Sequence, residues 1–228
     1  MSRKVLLLGD SHIIQVMSSF QKLNSPFQVF GTHLPLGKRW GTRFHTATPS
    51  LKFSNPDAQV KFNEIAKEAG LNARYVTDLN IPVVFSLSAV ERLVYHWDWL
   101  AHSPFYREEK HFLSNQLFEQ IIRDHFSHFF EFFEILTAHK VKCFNIIGPG
   151  PRQPDGDRGA LFIKIKNLVT EIYRGYGVSI IDTTETTSYP NGALLPQFWS
   201  DMPNDQLHGN YEWGKVVAEA IQQKMIFD

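Results

Sequence analysis

Three residues near the two ends of this chain have the types and spacing for nucleophilic chemistry. Ser11 follows the apolar run Val5–Leu8 and the pair Gly9-Asp10, while Asp205 and His208 lie three apart in "DQLHGN", just ahead of the last periodic segment. A serine hydroxyl is a weak nucleophile at neutral pH and needs a base, and the base needs an acceptor on its second nitrogen to fix its tautomer. In a tight turn the Asp205 carboxylate can accept from one ring nitrogen of His208 while the other faces Ser11. Asp-x-x-His alone is a frequent coincidence. Its weight comes from being paired with "GDSH" at Gly9–His12. Ser11 also has a plain structural reading as a helix cap, because Ile13, Ile14, Met17 and Phe20 follow it at helical spacing.

The elements that must hold these residues are legible in outline. Val5–Leu8 is an uninterrupted apolar run closed by a glycine, which is how a strand buried on both faces of a parallel sheet reads. Further strands are expected at "FQVFG" ending on Gly31, at Pro82–Ser88, in "VKCFNIIG" and in "VSIID" closing at Asp182. Helices are expected from Ser11, over Ala58–Ala69, Asn115–His139, Leu161–Tyr173 and Tyr211–Met225. Leu117, Ile121, Ile122, Phe126, Phe129, Phe133 and Leu136 mark one stripe of the long helix, so its phenylalanines read as core. Strands alternating with helices of this length imply right-handed crossovers and a parallel sheet covered on both faces. In such sheets ligands gather beyond the carboxyl ends of the strands, where Ser11 stands near a helix N-terminus that favours negative charge. Thr32–Pro56 shows no periodicity, and so long an irregular segment is usually functional or mobile.

The totals narrow the classes. With 228 residues, 43% of them hydrophobic, the chain reads as one domain over 1–228, carrying an aromatic-rich insertion at about 89–114. Lys plus Arg and Asp plus Glu are each 23, which gives no argument for nucleic acid. Met1–Pro56 nevertheless holds Arg3, Lys4, Lys22, Lys38, Arg39, Arg43 and Lys52 against Asp10 alone, either a solvated face or one that favours an anionic ligand. The single cysteine, Cys143, reads as a small core residue, and a disulfide framework is excluded. No run reaches the length of a membrane span or a signal-peptide core, so the expected location is cytoplasmic.

"GDSH" at Gly9–His12 together with "DQLHGN....G" at Asp205–Gly214 resembles the first and last motif blocks of the SGNH (GDSL-type) hydrolases. The chain length, the strand and helix order and the short tail helix after the histidine fit that family as well. The resemblance implies a three-layer α/β/α, flavodoxin-like parallel sheet and acyl-ester chemistry, with Ser11 as nucleophile, His208 as base and Asp205 as its partner. It implies no metal or organic cofactor. The Ser11 amide is then one oxyanion donor. The family places another on a glycine after the second strand, for which Gly31 is the first candidate and Gly37 the second. Its third donor is an asparagine in a "GxND" block after the third strand, where this chain reads Ser88-Ala89-Val90-Glu91. Loss of one such donor costs roughly 10²- to 10³-fold in rate, so a substitute is expected from Ser88, Arg92, Arg39 or Arg43.

Other residues carry weaker signals. His12 and Arg92 are candidate substrate contacts; His12 either shapes the pocket or serves only the first helical turn. His96 with Trp97 and Trp99 either lines a sugar-binding cleft or packs the insertion, and Arg152 in "GPGPR" is a candidate substrate contact. His125 and His128 are spaced three apart on the long helix without a third ligand in view, so no metal site is expected. The expected function is a serine esterase or deacylase acting on a short-acyl ester, O-acetyl carbohydrate being the favoured class. An acyltransferase that passes the acyl group to a sugar hydroxyl keeps the same triad. A non-catalytic module binding an anionic ligand, suggested by the missing asparagine, is the rival of a different class. A nucleotide site at Ser11 is weaker, because the first turn has one glycine and no phosphate-cradling loop.

Overall fold

Alternate residues of the first strand go to opposite sides of a sheet, and both sides of this one are apolar. The computed structural model describes residues 3–35, 43–48, 50–87, 90–96, 114–152, 156–202, 204–205 and 207–227, with the backbone alone for Arg92, Tyr95, His96, Gly156 and Asp157. In chain order the elements are β1 (Arg3–Gly9), α1 (His12–Phe20), β2 (Phe27–His33), β3 (His45–Thr46), β4 (Lys52–Phe53), α2 (Pro56–Glu68), β5 (Val83–Ser86), α3 (Val90–His96), α4 (Asn115–Ala138), β6 (Cys143–Ile146), α5 (Gly156–Gly175), β7 (Ser179–Ile181), α6 (Thr184–Thr187) and α7 (Tyr211–Phe227). Five strands form one parallel sheet in the order β2-β1-β5-β6-β7, while β3 and β4 pair separately as a short antiparallel hairpin.

Leu6 and Leu8 of β1 join Val83 and Phe85 of β5 in an apolar cluster completed by α2, α4 and α5. Val5 and Leu7 point the other way, with Val84, Phe144 and Ile146, into a cluster completed by α1 and α7. This is the two-faced burial that continuous apolar strands require, and it makes three layers. The sheet order is the flavodoxin-like one, which reverses direction between β1 and the strand beside it; ligand crevices form at such switch points.

The phenylalanine stripe of α4 is core: Phe118, Phe126, Phe129, Phe130, Phe132 and Phe133 are all buried. Leu117 departs from the expected stripe and is exposed, because Ser114 caps the helix by accepting from the Leu117 N–H and Phe118 takes the first inward position. Cys143 is buried, and burial pushes its thiol up to about 12, so it is inert packing as expected. The stretch from Thr32 to Pro56 is not wholly irregular: the β3–β4 hairpin sits in it, with Phe44, Leu51 and Phe53 buried against α4 and α2. Strands of two residues carry no readable alternation, which is why the sequence pattern misses them. Of the aromatic-rich stretch at about 89–114, α3 and Ser114 are described; His96 as a side chain, Trp97 and Trp99 lie outside the described residues. Among the described residues no helix is long and apolar enough to cross a membrane.

Candidate active site

β1 is flanked on both sides, by β2 and β5, so its carboxyl end is held rigidly at the switch point. Gly9 is needed there: a Cβ would come 2.6 Å from the Ser86 Cβ on β5. The chain then turns into α1. The structure rejects the capping role for Ser11, whose hydroxyl makes no bond to the start of the helix. Asp10 caps instead, its Oδ1 accepting from the His12 N–H at 3.0 Å. Ser11 is thereby free to present its hydroxyl to another part of the chain, and its Oγ lies 2.5 Å from His208 Nε2, across 197 residues of sequence.

The loop carrying Asp205 and His208 runs from a 3₁₀ turn at Pro196–Phe198 to α7 and is pinned at both ends. Asn210 accepts from the Trp213 N–H to cap α7 and donates from Nδ2 to the Gln197 carbonyl. The Ser200 N–H donates to the His208 carbonyl, and Trp199 bridges Gly209. Inside the loop Asp205 Oδ1 accepts from the Leu207 N–H at 3.0 Å and the His208 N–H at 3.2 Å. That turn swings the imidazole back over the carboxylate, so Nδ1 lies 2.9 Å from both Asp205 oxygens. Burial works against the Asp205 charge, but the Leu207 N–H, the His208 ring and the Ser200 hydroxyl outweigh it and hold the carboxyl at about 2. Gly214 lets the two ends of the site meet: α7 crosses α1 so closely that a Cβ there would lie 2.5 Å from the Gln15 carbonyl oxygen.

A second polar cluster lies directly behind Ser11. His12 is buried, with Nδ1 3.0 Å from Asp10 Oδ1, Nε2 2.9 Å from the Leu207 carbonyl oxygen, and Glu91 Oε1 3.9 Å from Nδ1. Ser86 donates its hydroxyl to the same Asp10 oxygen at 2.9 Å. Burial opposes charge on both His12 and Asp10. The attraction and hydrogen bond between them, with help from Glu91 and Leu207 on one side and Ser86 on the other, outweigh it; His12 is raised to about 10 and Asp10 is lowered. Asp10, His12 and Glu91 bring ligand-type atoms within 4.8 Å of one another, but the spacings inside the group are those of hydrogen bonds and an ion pair. His125 and His128 belong to no such three-residue group among the described residues.

The remaining sequence candidates divide clearly. Gly31 does not end its strand: β2 continues to His33, the Leu34 N–H donates to the Gly9 carbonyl, and Gly31 sits opposite Leu7. That register leaves it two residues short of the sheet edge at which Ser11 stands. A glycine after β1-type apolar residues reads as a stop, yet here Gly31 marks close contact inside the strand, its Cβ position 3.0 Å from Leu7 and from the Met17 sulfur. Gly37, Arg39, Ser88 and the side chain of Arg92 lie outside the described residues. Arg43 is ion-paired with Glu131 on α4 and not with the site. Arg152 donates to the Ser200 carbonyl at 2.8 Å, so it braces the loop that carries Asp205 and His208. Asp182 closes a turn through Thr184 and pairs with Lys166 at 2.8 Å.

Lys38 and Arg39 lie outside the described residues, and the other basic side chains of the first quarter do not gather in one place. Lys4 donates to the Ala69 carbonyl, Lys22 lies over Tyr211, and Arg43 meets α4 on the other face of the sheet. Sequence reasoning missed Ser86, Asn145 and Tyr173. The Leu87 N–H donates to buried Asn145 Oδ1 at 3.2 Å and its carbonyl accepts from the Tyr173 hydroxyl at 3.5 Å, fixing the peptide that leaves β5. Isolated polar residues inside apolar strands, Ser86 and Asn145, were the available signal. Among the described residues no acceptor takes the Ser11 N–H, which leaves that amide available to an oxyanion.

By sequence, no protein-family model and no curated protein matches the chain. Solved structures do match in shape. A GDSL-like lipase from Bacteroides thetaiotaomicron superposes with a TM-score of 0.50 at 13% identity, covering 99% of this chain and 89% of that one. A proposed acylhydrolase from Bacteroides fragilis gives a TM-score of 0.50 at 14% identity, covering 99% and 87%. With its 2-1-3-4-5 parallel sheet between two helical layers, this chain has the fold of the SGNH hydrolases.

Proposed function

We propose that the protein is a serine acyl-ester hydrolase of the SGNH type, acting on short-acyl esters such as O-acetylated carbohydrate. The observation that carries this reading is the continuous relay from Ser11 Oγ to His208 Nε2 at 2.5 Å and from His208 Nδ1 to Asp205 at 2.9 Å. A serine, a base and an orienting carboxylate in this order are what acyl transfer demands.

In the proposed cycle Ser11 Oγ attacks the ester carbonyl carbon as its proton passes to His208 Nε2. Asp205, ionised throughout because its pKa is held at about 2, accepts from Nδ1–H and stabilises the imidazolium. The charge that develops on the carbonyl oxygen lies within reach of the Ser11 N–H at the end of β1. Collapse expels the alcohol, which takes the proton from His208, and leaves an acyl-serine. Water then repeats the sequence with His208 as base, releasing the acid and restoring Ser11.

An activated fluorophosphonate tests the reading. Covalent labelling at Ser11, lost in His208→Ala, supports it, and a folded protein that shows no labelling refutes it. Running an activated acyl donor with and without sugar acceptors separates hydrolysis from transfer: free acid at an unchanged rate with no acylated sugar assigns hydrolysis.

A further inference from the structure

The polar cluster behind Ser11 does something the triad does not require by itself. His12 is 4% exposed, and each of its ring nitrogens faces an acceptor: Asp10 Oδ1 at 3.0 Å and the Leu207 carbonyl oxygen at 2.9 Å. A neutral imidazole has one N–H, so one of these contacts would set a lone pair against an oxygen in a buried place. With Asp10 held as a carboxylate by the Ser86 hydroxyl and the His12 N–H, only the doubly protonated ring satisfies both.

The two acceptors also stand at informative positions. Asp10 is the residue before the nucleophile and caps its helix through the His12 N–H. Leu207 is the residue before the base, and its own N–H is bound by Asp205. One ring therefore spans the two halves of the site from behind. We propose that His12 is a doubly protonated latch at neutral pH that sets the distance between Ser11 and His208 by tying Asp10 to the Leu207 carbonyl. This role rests on the esterase reading above, and it makes His12 a positioning residue that touches no substrate.

The surroundings keep the charge in place. Asp10 from the end of β1 and Glu91 from α3 face the ring as carboxylates; the His208 ring lies 4.9 Å away between centroids, and Trp213 of α7 closes the remaining side at 5.8 Å, edge on. Burial opposes the charge, and these two carboxylates with the Leu207 carbonyl raise His12 to about 10 regardless. With both nitrogens protonated the ring has no lone pair for a cation, so the Asp10, His12 and Glu91 group is an ion-pair cluster.

Two measurements test the latch. Histidine ring ¹⁵N spectra of the unmodified protein should show both His12 nitrogens protonated from about pH 6 to about pH 8, where an ordinary histidine titrates; a neutral His12 ring anywhere in that range overturns the proposal. This readout needs no activity, so it stands even if Ser11 proves unreactive and the esterase reading fails. In the second, His12→Asn retains an N–H toward Asp10 and loses the reach to Leu207, while the amide of His12→Gln extends toward Leu207. Misplacing a base by about 1 Å costs about 10²-fold, so kcat should fall about 10- to 100-fold in His12→Asn with KM changed less than about threefold. His12→Gln should recover several-fold over His12→Asn. Unchanged kcat in a folded His12→Asn protein, or a loss confined to KM, overturns the latch while leaving the triad intact.

Discussion

Replacing Asp205 by Asn isolates the relay from the fold. Asp205 Oδ1 accepts from the Leu207 and His208 N–H groups, at 3.0 and 3.2 Å, while Oδ2 lies 2.9 Å from His208 Nδ1. An asparagine that keeps its oxygen in the Oδ1 place preserves both backbone bonds and puts an NH₂ group where Oδ2 stood. That group donates to Nδ1, so the imidazole carries its proton on Nε2 and meets the Ser11 hydroxyl with a donor where a lone pair is needed. The counter-charge for the imidazolium is lost with the carboxylate. The same exchange in a serine protease lowers kcat about 10⁴-fold, equivalent to about 5.5 kcal/mol of barrier. The expected result is a fall in acyl-ester turnover and in fluorophosphonate labelling of at least about 10³-fold, with a cooperative thermal transition near that of the parent. Labelling within about tenfold of the parent, in a protein that remains folded, would show that His208 does not depend on Asp205 for its tautomer and would refute the relay.

Three further outcomes follow from the same contacts. Ser11→Ala should abolish labelling yet change unfolding free energy by less than about 1 kcal/mol, because the hydroxyl caps nothing in α1; chemical denaturation measures it. Gly214→Val should destabilise by about 1–3 kcal/mol or more and reduce activity together, since the added carbon meets the Gln15 carbonyl at 2.5 Å and pushes α1 away from α7; denaturation and turnover are read on one sample. His12, raised to about 10 from an ordinary 6.5, contributes stability that is fully present below about 6.5 and is lost as pH rises through about 10. The thermal midpoint of the parent should therefore fall over that alkaline range, and the fall should be smaller in His12→Asn.

The three chemical groups were legible because their types and local spacing are local facts. Asp205 and His208 lie three residues apart, so a single turn suffices to bring ring and carboxylate together. The two-sided burial of Val5–Leu8 follows from an uninterrupted apolar run, and the buried face of α4 from hydrophobic period. Leu117 failed where the helix begins, since a cap at Ser114 and not the period decides which first-turn residue points inward. Gly31 failed for a different reason: a strand ends where its partner stops pairing, and the bond from Leu34 to the Gly9 carbonyl carries β2 past the glycine.

Residue types and local pattern therefore establish the chemistry on offer, a serine beyond a buried strand and a histidine with a carboxylate partner, together with the layers that bury them. It takes the packed chain to show that the serine caps nothing, that it meets His208 at 2.5 Å across 197 residues, and that His12 joins Asp10 to Leu207 behind them. Those facts depend on how α7 packs against α1 and how closely β5 approaches Gly9. Such non-local contacts are set by shape and by the satisfaction of buried polar groups, and no periodicity along the chain encodes them.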